Sequence, residues 1–181
     1  MSPKLKASKS LITSISIPEN NQKLSVKKEI SISSLNQLFE YTKTDPQIKS
    51  LTHDKERFKN IESFNKWFGT GKHFYTLTDE ENKLLGVVWL HKKASTFQKY
   101  PFTFAIRTYS YVRGKGLAKE FAEACLEDFS QSEEFLSAQF KGIWIEINKK
   151  NIISYNFNKK LGFKEVKGVN STESIFMLLD L

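Results

Sequence analysis

The stretch from Phe102 to Phe129 constrains this chain most. A run with strand character, Phe102 to Tyr109, gives way to Arg113-Gly-Lys-Gly116, and an amphipathic helix begins at once. Leu117, Phe121, Cys125 and Phe129 recur every four positions, with Ala118, Ala122 and Leu126 beside them, which is the period of an apolar helix face. A helix N-terminus entered through glycines offers unpaired backbone N–H groups and the positive end of the dipole. Gly114 and Gly116 let that backbone approach a phosphate, and Arg113, Lys115 and Lys119 add charge. The stretch reads as an anion cradle, for a pyrophosphate in first place. The alternative is a strand-to-helix turn that merely needs glycine.

The flanking periodicities supply the rest of the architecture. Gly142 to Ile147 is a short apolar strand, so strand, helix and strand form a right-handed crossover whose two strands run parallel. Upstream, His73 to Thr78 and Leu84 to His91 are joined by the polar turn Asp79 to Lys83 and read as an antiparallel hairpin. Lys23 to Ile30 makes an earlier strand. Ser31, Ser33 and Ser34 then offer N-caps for a helix over Leu35 to Tyr41. After a break at Thr44-Asp-Pro46, Phe58, Ile61, Phe64, Trp67 and Phe68 form a second helical stripe, ended by Gly69-Thr-Gly71. A polar loop follows Phe129. A short helix from Asn151 to Lys160 stops at Gly162, and strands near Phe163 to Val169 and Ser174 to Leu181 close the chain. The expectation is an α/β single domain with a mixed, mostly antiparallel twisted sheet of about six or seven strands and helices on both faces. Residues 1–20 read as a flexible basic tail or a first strand, and residues 21–181 as the domain.

Charge and cysteine narrow the function classes. The net charge is +8, but 25 of the 28 cations are Lys and only Arg57, Arg107 and Arg113 are Arg. Arginine is the favoured reader of base edges and phosphates, so a spread lysine excess reads as a solvated surface and no nucleic-acid partner is expected. The single cysteine, Cys125, excludes an intrachain disulfide and sits on a helix stripe as a small hydrophobe. No apolar run approaches the ~20 residues that span a bilayer, so a cytoplasmic protein without a membrane partner is expected. His53, His73 and His91 have no metal-ligand spacing, and no metal is expected.

These residues resemble the GNAT superfamily of N-acetyltransferases. Its loop of Arg or Gln, two residues, Gly, one residue, then Gly or Ala is matched by Arg113-Gly-Lys-Gly116-Leu-Ala118, between a strand and a helix. A second element, a strand carrying Glu, then Asn and a short helix closing on Leu-Gly-Phe, is matched by Glu146, Asn151 and Leu161-Gly-Phe163. The resemblance covers residues 30–181, with its specific part in 102–163. It implies a GNAT-like fold, acetyl-CoA as acyl donor, and direct transfer to a primary amine by a monomer or homodimer. It also implies that the amides of Arg113, Gly114, Lys115, Gly116, Leu117 and Ala118 hold the pyrophosphate, that the strand around Ile106 and Thr108 pairs with the pantetheine arm, and that Asn151 hydrogen-bonds the cofactor. Glu146 matches a position that serves some members as general base. Asn158 stands where the family often has a proton-donating Tyr; it can offer the cofactor a hydrogen bond but no proton, and Tyr155, one turn earlier, is the other candidate.

Read from the residues alone, Glu146 lies on a strand whose other face is apolar, and such a carboxylate is either paired or employed. The acceptor must be neutral to attack. At pH 7 about one α-amine in ten is neutral, against about one lysine in several thousand. A protein N-terminus is therefore favoured weakly over a small-molecule amine. The competing class is a non-catalytic acyl-CoA-binding or regulatory module built on the same cradle.

Overall fold

The computed structural model describes residues 10–69, 71–169 and 171–181. One sheet holds β1 (Leu11–Ser16), β2 (Lys23–Lys28), β3 (Lys72–Thr78), β4 (Leu84–Lys92), β5 (Phe102–Thr108), β6 (Gly142–Asn148), β7 (Lys164–Glu165) and β8 (Ser174–Asp180). Their spatial order is β1-β2-β3-β4-β5-β6-β8-β7. All neighbours are antiparallel except β5 and β6, which are parallel as the crossover through the glycine loop requires. Among the described residues the sheet therefore has eight strands, one more than the upper expectation. Leu11–Ser16 is the added edge strand, with Ile15 in the core. Residues 1–9 of the expected tail lie outside the described residues. The strand expected over 163–169 is reduced to β7, two residues long, although Val166 still donates to the Phe176 carbonyl.

Seven helices are present among the described residues: α1 (Ile32–Thr44), α2 (Pro46–Leu51), α3 (Asp54–Arg57), α4 (Ile61–Phe68), α5 (Leu117–Ser130), α6 (Glu133–Ser137) and α7 (Ile152–Lys160). Three of them, α2, α3 and α6, lie where no helix is expected, and Phe58 of the expected stripe stands between α3 and α4. For α2 and α6 a cap explains why. Asp45 accepts from the N–H groups of Gln47 and Ile48, so Pro46 starts α2 rather than merely ending α1. Ser132 accepts from Phe135 N–H and opens α6 within the expected polar loop.

The sheet carries a separate apolar cluster on each face. One includes Val88 and Leu90 of β4, Phe102 and Phe104 of β5, Ile143, Ile145 and Ile147 of β6, the stripe Leu117, Phe121, Cys125 and Phe129 of α5 and the α7 C-cap Leu161, with Tyr155 and Phe157 of α7 against it. The other holds Val87 and Trp89 of β4 beneath Leu38, Ile48, Phe58 and Phe64 of α1–α4. Alternation along the strands thus divides the domain into an α5/α7 face and an α1–α4 face.

Gly142 fixes how closely β6 and β8 approach. A Cβ built there would stand 1.9 Å from the Leu179 carbonyl oxygen, a backbone atom that cannot swing aside. Gly142→Ala is expected to destabilise the fold by about 3 kcal/mol, the upper end of ordinary overpacking costs. Chemical denaturation checks this, with Gly69→Ala as the tolerated comparison, since its Cβ would meet only ordinary contacts at 3.5 Å or more.

Candidate active site

The site begins where the parallel pair comes apart. β5 and β6 are in register only at Phe102↔Ile143 and Thr103↔Trp144. β5 follows β4 all the way to Thr108, and β6 follows β8 to Asn148. Beyond the second pair the two strands splay. Tyr109 N–H donates to Leu85, and Lys93 N–H donates to the Pro101 carbonyl. In an antiparallel ladder this alternation turns the odd-numbered residues of β5 towards β4 and the even-numbered ones towards β6. The N–H groups of Ile106 and Thr108 consequently face the splay, with no partner strand there. Their carbonyls are occupied: Arg107 Nη1 donates to the Ile106 oxygen at 2.9 Å, and Arg113 Nε donates to the Thr108 oxygen at 2.7 Å. Side chains take up the acceptors and leave the donors free.

The glycine loop lies at the open end of this splay. Gly114 and Gly116 have φ of 77° and 78°, the left-handed region that glycine enters without strain. Gly116 is the N-cap of α5 and no side chain caps that helix. Arg113 N–H and Lys115 N–H close the turn on Tyr109 and Val112. The N–H groups of Gly114, Gly116, Leu117 and Ala118 are left without an acceptor in the turn, which makes an anion site out of backbone alone.

The expected charge around this loop is placed differently. Arg113 Nη2 pairs with Asp45 at 2.8 Å, both groups largely buried, so its guanidinium ties the end of β5 to the α1–α2 corner. Lys115 lies over the Tyr111 ring at 4.4 Å, and Lys119 pairs with Glu123. Burial first, then Asp128, pushes the Cys125 thiol well up, which keeps it an inert core group.

The residues of the second motif have distinct tasks. Asn151 caps α7, accepting from Ser154 N–H at 3.0 Å, while its amide reaches the Leu51 carbonyl at 3.4 Å. Asn158 is buried; its Nδ2 donates to the Ser154 carbonyl at 2.8 Å, and its Oδ1 has no partner among the described residues. Since a carbonyl can only accept, that bond fixes the amide orientation and leaves a buried acceptor in want of a donor. Tyr155 directs its hydroxyl to Glu165 at 3.2 Å. Glu146 lies on the α1–α4 face, half-exposed, 3.7 Å from Lys93 Nζ.

A buried pair beneath the splay has no local sequence motif to mark it. Arg107 makes a two-point contact with Asp54, Nε to Oδ2 at 2.7 Å and Nη2 to Oδ1 at 3.0 Å, and lies over the Trp89 ring. Asp54 is wholly buried and also meets Arg57 at 3.5 Å. The available signal was the scarcity of arginine, one of three being placed mid-strand. Among the described residues no group of three or more His, Cys, Asp or Glu is arranged to hold a metal ion, and no helix is long and apolar enough to cross a membrane.

Comparison with known proteins agrees with this geometry. No curated protein matches the sequence significantly. Among solved structures, the GNAT domain of S. lividans PAT superposes with a TM-score of 0.64 at 10% identity, covering 93% of this chain and 96% of that one. A putative acetyltransferase from Acinetobacter baylyi gives 0.64 at 16% identity, over 90% and 94% of the two chains. Spermidine N-acetyltransferase from Vibrio cholerae, in complex with CoA and spermine, gives 0.61 at 17% identity, over 87% and 95%. These likenesses show the fold. The sequence model of the acetyltransferase (GNAT) domain matches residues 29–164, which span the splay, the glycine loop and the α7 motif, and the chain belongs to that family.

Proposed function

We propose that this protein transfers an acetyl group from acetyl-CoA directly to a primary amine, an α-amine at a peptide N-terminus in first place. The observation that carries the reading is the pair of free N–H groups on Ile106 and Thr108, leading along the splay to the bare N-terminus of α5. A pantetheine arm has the amides to continue β5 as a missing strand would, and the diphosphate has Gly114, Gly116, Leu117 and Ala118 N–H to accept from. The unpartnered Asn158 Oδ1 suits an amide N–H of the same arm. Asn151 caps α7, and the amides of Arg113 and Lys115 shape the loop rather than donate from it.

When bound, acetyl-CoA supplies an electrophilic thioester carbonyl. The amine nitrogen bonds to that carbon, the carbon–sulfur bond breaks, and the amine proton passes to Glu146 directly or through a water. Asn158 Nδ2 and the Tyr155 hydroxyl are both engaged elsewhere, so no side chain of this pair protonates the sulfur in this arrangement. A thiol of pKa about 8.5 leaves tolerably as thiolate, so the step does not require an acid. The same engagement favours the second reading, an acyl-CoA-binding module without turnover.

Thermal stabilisation by acetyl-CoA, followed by thiol release with a peptide α-amine, separates the two. Stabilisation with turnover is expected; stabilisation without turnover by any amine supports the module. Glu146→Gln is expected to reduce kcat by about 100-fold, the lower range for loss of a general base, with acetyl-CoA stabilisation unchanged. A pH–rate profile identical to the wild type would assign Glu146 a purely structural part.

A further inference from the structure

The two faces of the splay are not equivalent. α5 and α7 pack on the face of Ile143, Ile145 and Ile147, and the phosphate-binding end of α5 belongs to that side. On the acyl-CoA reading above, the donor occupies that side, and the acceptor meets the thioester from the α1–α4 face. The residues that face presents at the last paired position therefore bear on acceptor choice.

They form a row across the sheet, since Lys72 opposes His91, His91 opposes Thr103, and Thr103 opposes Trp144. Glu146 and Lys93 flank the row. The Lys93 ammonium stands 5.0 Å over the Trp144 ring and 3.7 Å from Glu146. Among the described residues the buried Trp144 indole N–H has no acceptor, and His91 Nδ1 is likewise unpartnered. Burial first, then the charges of Lys72, Lys93 and Arg57, holds the His91 imidazole down at about 4, so cations are gathered around it. The other carboxylate beside β5, Asp54, is already consumed by Arg107 and Arg57. A second ammonium group has little to neutralise it here, whereas an anion finds Lys93 and an indole donor.

We infer that the acceptor is an amine bearing a carboxylate close to the reacting nitrogen, its amine directed to Glu146 and its carboxylate to Lys93 and the Trp144 N–H. The short Lys93–Glu146 separation sets the spacing, which an amino acid or a peptide with an acidic first residue meets. A polyamine does not meet it. This inference rests on the acyl-CoA reading, and its test keeps the two apart.

Thiol release is measured with matched acceptors: an aspartyl peptide against its asparaginyl twin, alanine against alaninamide, and spermidine. In at least one pair the carboxylate-bearing member is expected to exceed its neutral twin tenfold or more in kcat/KM, and the pair that does so identifies a peptide or a free amino acid. Lys93→Glu is expected to bring that ratio to one or below, with acetyl-CoA stabilisation retained and the melting temperature of the free protein lowered by no more than a few degrees. If nothing turns over, calorimetric binding of the same pairs to the CoA-loaded protein decides by the same ratio. Ratios of one in both pairs, a ratio indifferent to Lys93→Glu, or spermidine as the best acceptor would overturn the inference alone. Absence of any acetyl-CoA stabilisation in the unaltered protein would overturn the acyl-CoA reading and this inference with it.

Discussion

Gly116→Asp is expected to abolish stabilisation by acetyl-CoA while the free protein still folds. Space is not the obstacle, because a Cβ at Gly116 meets nothing within 4 Å. Backbone strain is modest, since aspartate is among the residues that visit the left-handed region and a left-handed residue costs about 1–2 kcal/mol at most. What changes is charge. A carboxylate at the N-cap places a negative charge where the diphosphate would sit. With only that modest strain, the free protein should melt within a few degrees of the unaltered one. Gly116→Ala separates strain from charge: its cost of about 1–2 kcal/mol should lower the melting temperature of the free protein by a few degrees while acetyl-CoA stabilisation is largely kept. Differential scanning fluorimetry across an acetyl-CoA titration reads all three proteins, and undiminished stabilisation of Gly116→Asp would show that the loop is not the anion site.

The largest effect on stability is expected from Asp54→Ala. Arg107 is five-sixths buried and its two-point partner wholly so, and removing the acid leaves a guanidinium without its counter-charge. Breaking a buried pair from one side costs about 3–5 kcal/mol. At roughly 2–4 °C per kcal/mol for a domain of this size, the melting temperature should fall by about 6–20 °C. Arg107→Met, which removes the charge and keeps much of the packing over Trp89, should cost less when combined with Asp54→Ala than the two single changes together. The pair also reaches the site, since the same guanidinium occupies the Ile106 carbonyl. A double-mutant cycle in denaturant gives the coupling, and additive costs would show that the contact is incidental.

What the sequence disclosed, and what it withheld, follows from the range of each interaction. The stripe Leu117, Phe121, Cys125 and Phe129 and the two loop glycines are local patterns, and the strand, loop and helix stand where they were read. α2 and α6 hinge on single caps, Asp45 and Ser132, in segments that also satisfy the rules for loops. The fate of Arg113 was not legible at all, because its partner Asp45 lies 68 positions away and the loop motif reads the same whichever way the guanidinium turns. Asp54 with Arg107, and Lys93 with Trp144 and Glu146, are long-range in the same way: chemistry at these points is made by sheet register, and register is not written in any one segment. Asn158 was legible as a departure from the family's tyrosine, whereas its unpartnered Oδ1 required the packing around α7.

The short parallel junction has a mechanical meaning as well. Only two residue pairs join β5 to β6, against seven in each of the ladders on either side. The sheet is thus two plates, β1 to β5 and β6 to β8, meeting along a narrow seam and strapped together by the α5 crossover. A ligand lying in the cleft would hydrogen-bond as a strut between the plates. Amide exchange along β5 and β6 beyond the seam should therefore slow together when the cleft is filled, with the outer ladders little changed.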